Sequence, residues 1–172
     1  MANPLLTNLD EIVDYPDAIA LALSKDQTIV GFLVDDPNVD MVNDDVDVLG
    51  SQIYNYNFIP DVATDSLSYI TIDTVVSDAK TETVKTLKVI ITVISNKTNM
   101  KLKPTIFKGV AGNRRDNLVR YTDLIVRRMD NLGIGKLQLT ARTPVAPVSI
   151  GVTDYTAKQL VYEVPNFDRR VK

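Results

Sequence analysis

Tyr69-Ile70-Thr71-Ile72-Asp73-Thr74-Val75-Val76 and Val84-Lys85-Thr86-Leu87-Lys88-Val89-Ile90-Ile91-Thr92-Val93-Ile94-Ser95 decide the fold. Both alternate with period two, the signature of half-buried strands. The first places Ile70, Ile72 and Val76 on one face, and the second places Leu87, Val89, Ile91 and Val93 together. The polar segment 77–83 between them suits a hairpin connection, so the two are expected to be antiparallel neighbours. Composition agrees. The chain holds 22 Val, 14 Ile and 16 Thr among 172 residues, a β-branched bias that favours pleated surfaces over helices.

Further strands are expected at Lys136–Arg142, with Leu137 and Leu139 inward, and at Lys158–Val164, with Leu160, Tyr162 and Val164 inward. The segment Thr143–Thr156 between them, with two prolines and a glycine, reads as a loop. A helix is expected from Asn113, a good N-cap, with Leu118, Tyr121, Leu124, Ile125, Met129 and Leu132 as its apolar stripe and Gly133 as its terminator. At the N-terminal end, Leu5, Leu9, Ile12 and Val13 share a helical face, and Pro16 reads as the first turn of a second helix running to about Ser24. The unbroken apolar run Thr28–Val34 reads as a buried strand. Residues 51–68 have no clear period and form a long loop bearing Tyr54, Tyr56 and Phe58. Such loops inside compact domains are usually functional or disordered, and the aromatics here argue for an interaction loop. Together these elements predict an α+β fold, a mostly antiparallel sheet with helices packed on one face. The whole chain, 1–172, is expected to be one domain, with a helical segment at 1–25 and a sheet-and-helix core at 68–165.

Composition also narrows the chemistry. With no cysteine and no histidine, the chain lacks thiolate sites, the usual general base near neutral pH and the commonest transition-metal ligand. No nucleophile–base pair is placed by spacing, so no catalytic, cofactor or metal residues are assigned and an enzyme is not expected. Asp36, Asn38, Asp40 and Asp47 fall at positions 1, 3, 5 and 12 of an EF-hand-like spacing. However, Met41 stands where the glycine turn is needed and Asp47 where a bidentate glutamate is expected. A solvated acidic segment is the better reading. Gly109-Val110-Ala111-Gly112 reads as a flexible entry to the helix. The opening Met1-Ala2-Asn3-Pro4-Leu5-Leu6 lacks the character of a signal peptide, and no apolar run approaches the ~20 residues that span a bilayer. A soluble compartment without membrane contact is expected.

Charge is divided unevenly along the chain. Residues 1–80 carry 15 acidic and 2 basic side chains, and residues 81–172 carry 7 acidic and 17 basic ones. The two halves either neutralise each other within one fold or supply an acidic face and a basic face for neighbouring subunits. The candidate interface residues are Tyr54, Tyr56 and Phe58 in the aromatic loop, Asp44, Asp45 and Asp47 in the acidic stretch, and Arg114, Arg115, Arg127 and Arg128. These arginines are expected on the exposed part of the helix. Contact of this helix with DNA phosphates is compatible with its charge, although the sequence pI of about 4.9 is far from that of a dedicated binder.

From about residue 50 the chain resembles neck proteins of tailed bacteriophages. Three stretches carry the likeness. The first is Ile53-Tyr54-Asn55-Tyr56-Asn57-Phe58-Ile59-Pro60 with the following strand Ser68–Asp73. The second runs from Gly112-Asn113-Arg114-Arg115-Asp116-Asn117-Leu118 to Asn131-Leu132-Gly133-Ile134-Gly135. The third is Tyr155-Thr156-Ala157-Lys158-Gln159-Leu160-Val161-Tyr162-Glu163-Val164. The resemblance implies a small α+β virion subunit, assembled in the host cytoplasm into a ring, usually six-fold, between head and tail. Such a subunit contacts neighbouring neck and tail-tube proteins and surrounds DNA passing through the lumen. A tail terminator, capping the tube and joining it to the head, is the leading expectation. A head-closure protein of the same neck and a soluble adaptor module outside phages are the alternatives.

Overall fold

Three long strands lie side by side in antiparallel register: β2 (Ser68–Ala79), β3 (Val84–Asn96) and β6 (Tyr155–Phe167). The computed structural model describes residues 10–42, 44, 46–58, 67–79, 84–130, 132, 137–140, 145–148 and 154–167. Ile70, Ile72 and Thr74 stand opposite Val93, Ile91 and Val89, which in turn stand opposite Lys158, Leu160 and Tyr162. These residues face one side of the sheet, where Ile70, Ile72, Val89, Ile91, Leu160 and Tyr162 are fully buried.

Among the described residues, short strands complete a six-stranded sheet. β1 (Ile53–Tyr54) pairs parallel to β2 at one edge, while β4 (Gln138–Leu139) and β5 (Val145–Val148) both pair antiparallel to the outer side of β6. Pro147 fits β5 because an edge strand can spare one amide. The fold class is α+β, as the strand pattern predicts.

Among the described residues three α-helices pack on the buried face: α1 (Asp10–Ser24), α2 (Gln27–Val34) and α3 (Arg114–Val126). Their inward residues, among them Ile19, Leu23, Phe32, Leu33, Leu118 and Val126, form one core with the sheet. A smaller cluster of Tyr69, Ile94, Tyr155 and Ala157 sits on the opposite face.

Several expectations are corrected. Thr28–Val34 is helical, not a strand. An unbroken apolar run fits either element when it is buried all round, and here the ends decide. Asp26 Oδ1 accepts hydrogen bonds from the Thr28 and Ile29 amides, both at 3.0 Å, and Asp35 closes the helix in the left-handed conformation, φ 65. Pro16 does not begin a second helix but lies inside α1. Its missing amide is outweighed by the burial of Tyr15, Ile19, Ala20 and Leu23 around it. On the same helix Val13 faces outward. The third helix stops at Val126, not Leu132. Shorter-range bonds from the Arg128 and Met129 amides to Ile125 and Val126 carbonyls tighten the exit. Met129 and Leu132 still pack on the core from beyond the helix end, which extends the helical spacing without a helix. The expected cap Gly133 and the residues Leu5 and Leu9 lie outside the described residues.

The stretch 51–68 contains β1, and Thr143–Thr156 contains β5 and the first two residues of β6, so neither is structureless throughout. The strand expected at Lys136–Arg142 is described only as β4 with its flanking Leu137 and Thr140. Val76, expected inward, is 37% exposed. It lies next to a register shift between Val76 and Asp78, a bulge that bends the strand away from the core.

The outer edge of β2 beyond β1 is also specialised. The Ile70 amide donates outward to Gln52 O at 2.8 Å, so by alternation the Thr74 amide points the same way. It is taken by its neighbour's carboxylate, Asp73 Oδ1, at 2.8 Å.

Candidate assembly interface

Arg114, expected to be exposed, is instead the largest fully buried side chain among the described residues. It enters at the first turn of α3, where Asn113 Oδ1 accepts the Asp116 amide at 2.9 Å as N-cap. Its own amide donates to Met100 O at 2.9 Å. The guanidinium Nε donates to Asn99 O at 2.8 Å, Nη1 donates to Phe32 O, and Nη2 to Asp35 Oδ1. Phe32 O is one of the carbonyls left without an amide partner at the end of α2, so arginine closes a helix terminus as well as an ion pair. The guanidinium carbon sits 5.5 Å from the Phe107 ring centre, and Phe107 stacks on Phe32 at 4.9 Å. Lys103 Nζ makes a second ion pair with Asp35. This arginine is structural and offers nothing to a partner.

Burial alone would raise the pKa of Asp35. The hydrogen bonds and charges of Lys103 and Arg114 outweigh it and hold the carboxyl below the 3.8 of a free aspartate. Asp116 shows the same balance: burial raises its pKa, but Lys158 at 2.8 Å, Asn113 and Arg115 bring it down. Groups with a lowered folded pKa stabilise the fold above the unfolded value and lose that contribution as pH falls through the folded one. The urea midpoint is therefore expected to stay level from pH 7 to about pH 5 and to drop as pH falls below about 4. A midpoint unchanged between pH 5 and pH 3 would contradict this account.

The other arginines of α3 and of the turn that follows it divide. Arg115 bonds Asp116 at 3.2 Å and is largely covered; Arg127 Nε donates to Asp123 Oδ1 at 2.8 Å. The same Asp123 oxygen accepts the hydroxyl of buried Tyr162 at 3.0 Å, which ties α3 to β6. Burial, then the charge of Asp123, push the Tyr162 hydroxyl above the ordinary phenol range. Arg120 lies over the Tyr121 ring at 4.9 Å. Arg120 and Arg128 are exposed and have no carboxylate partner among the described residues.

The aromatic loop residues come together on the face of the sheet away from the helices. Tyr54 stacks on Phe58 at 4.2 Å and meets Tyr56 edge-on at 5.3 Å, and both Tyr54 and Phe58 reach Tyr69. Tyr54 and Phe58 thus pack partly within their own subunit, leaving Tyr56, 54% exposed, as the ring most available to a neighbour.

In the acidic stretch the carboxylates hold the local backbone. Asp36 accepts the Asn38 amide, Asp40 the Val42 amide, Asp44 the Asp40 amide and Asp47 the Leu49 amide, each within 3.0 Å. Asp44 and Asp47 remain exposed, and Asp45 lies outside the described residues.

Where both partners are described, only the ion pairs of Asp35 join a carboxylate of the acidic half to a cation of the basic half. Arg115–Asp116, Lys158–Asp116, Arg127–Asp123 and Lys88–Glu163 all lie within the basic half. Sequence reasoning found the charge imbalance but missed Asp35 and Asp123 as its internal fixed points. The helix-closing position of Asp35 carried the one available signal.

No helix among the described residues is long and apolar enough to cross a membrane. No curated protein and no solved structure matches the chain. A protein-family model, YomW, matches residues 26–164, which takes in α2, α3 and the sheet as far as Val164. The chain therefore belongs to the YomW family, a Bacillus phage SPBeta-like yom gene family, and this membership suggests a phage-derived protein.

Proposed function

We propose that this protein is a non-catalytic structural subunit of a phage virion. It forms a head-to-tail ring, six-fold, at the neck, where it terminates the tail tube and joins it to the head. The observation that carries the reading is the division of charge along the chain: residues 1–80 carry 15 acidic and 2 basic side chains and residues 81–172 carry 7 and 17, and where both partners of an ion pair are described only Asp35 joins the two halves. A head-to-tail ring needs two different, complementary surfaces on each copy, and opposite charges set register and encounter rate between them. The α+β sheet with helices on one face and the phage family membership agree with such a subunit. The absence of cysteine and histidine supports a role without turnover. Neighbouring neck and tail-tube proteins are its other partners, and DNA passes through the ring without base-specific contact.

Deleting the gene from the phage and imaging the resulting particles tests this. Loss of a terminator gives tails of uncontrolled length that fail to join heads. Heads that fill and then lose their DNA, with tails of normal length, would identify a head-closure protein instead. Normal particles would reject a virion role and leave a soluble adaptor.

A further inference from the structure

We propose that the ring contact is a helix–helix zipper in which the outer stripe of α1 on one copy packs against the outer stripe of α3 on the next. This deepens, and rests on, the head-to-tail reading above. On α1, Val13, Asp17 and Leu21 stand at i, i+4 and i+8, with Asp14 beside them, and all four are exposed. On α3 and the turn that ends it, Arg120, Leu124 and Arg128 stand at the same spacing and are likewise exposed.

The stripes are inverses of each other. One reads apolar, acid, apolar, and the other base, apolar, base. Val13 is 61% exposed, Leu21 46% and Leu124 42%, although each helix buries its opposite face in the core. Rows at i±4 interdigitate in the commonest mode of helix packing. Set ridge to ridge, the two stripes bring Leu124 between Val13 and Leu21 while Arg120 and Arg128 reach Asp14 and Asp17.

The charges select the occupant. Among the described residues Asp14 has no partner, Asp17 meets the amide of Asn55, Arg120 meets Tyr121, and Arg128 has none. Both stripes belong to one chain and both are exposed within it, so one copy cannot satisfy itself. A second copy of this chain supplies the complementary stripe and presents its own unused stripe to a third. The contact is heterologous, and it propagates until the ring closes.

The chain's lack of cysteine gives a clean test. Val13→Cys protein is mixed with Leu124→Cys protein in the presence of a short bismaleimide, and the unmodified protein is sedimented at the same concentration. Heterodimers should exceed either homodimer severalfold, and the double variant Val13→Cys/Leu124→Cys should give a ladder ending at the ring size. Adding Asp14→Lys and Asp17→Lys to the first partner should cut cross-linking about tenfold or more. Adding Arg120→Glu and Arg128→Glu to the second should restore it. Circular dichroism of each variant establishes that it folds. Equal homo- and heterodimer yields, or reversal without effect, would overturn the zipper. If the unmodified protein nonetheless sediments as an oligomer, the zipper alone fails. A monomer at every concentration with no cross-linking rejects both the zipper and self-assembly into a ring.

Discussion

Replacing Arg114 with alanine is expected to destabilise the subunit by about 3–5 kcal/mol, from buried acceptors left without donors at about 1–3 kcal/mol each and from the cavity left by a large side chain. That is a large part of the ~5–15 kcal/mol total of an ordinary domain. The change leaves Phe32 O, Asn99 O and one oxygen of Asp35 without their donors. It also removes the cation from the Phe107 ring and opens a cavity where the largest fully buried side chain stood. Lys103 still neutralises Asp35, so the loss comes mainly from stranded carbonyls and lost packing rather than from an isolated carboxylate. Arg114→Met separates these contributions. It keeps most of the stem yet cannot donate, and should recover only the packing part. Urea melts of the three proteins measure this. A cost below about 1 kcal/mol for alanine would mean that water replaces the guanidinium without penalty.

Gly31→Ala is expected to destabilise by about 1–3 kcal/mol, against the intrinsic helix preference for alanine. Propensity alone would favour the change by roughly 1 kcal/mol. However, the added Cβ would lie 2.8 Å from Asp36 O and 2.9 Å from Pro37 Cα, both backbone atoms. They cannot rotate aside as a side chain would. The turn they belong to is pinned by the Asp36 amide on Gly31 O at 3.0 Å and the Asn38 amide on Asp36 Oδ1 at 2.9 Å. Overpacking of this kind costs a few kcal/mol, which exceeds the propensity gain. The displaced turn begins next to Asp35, so Gly31→Ala and Arg114→Ala disturb a shared structure. Their combined effect should be smaller than the sum. Stabilisation by Gly31→Ala would show that the turn yields freely.

The sheet was readable because its evidence is local. One face of β2 and β3 meets the core and the other does not, so alternation at Ile70–Ile72 and Leu87–Val93 is written directly into neighbouring residues. α2 was not readable, since a short helix covered on nearly every side carries no stripe, and its caps at Asp26 and Asp35 resemble any loop aspartates. Arg114 illustrates a different limit. Five arginines in a stretch read as one helix look like a solvated face. What draws one of them inward is a carbonyl and a carboxylate 82 and 79 residues earlier in the chain, which no spacing reveals. For the interface the imbalance of charge between the halves was legible. The proposed placement on α1 and α3 depends on Pro16 lying inside an unbroken helix and on Val13, Leu21 and Leu124 facing outward.

The carboxylate of Asp73 has a bearing on solubility. A bare strand edge is a template for foreign strands and hence for fibre growth. On β2 the Thr74 amide is occupied from within the same strand, and the bulge after Val76 breaks the flat register that a second sheet would need. Crowded copies of the chain are thus denied the indiscriminate, open-ended stacking by which exposed sheets precipitate.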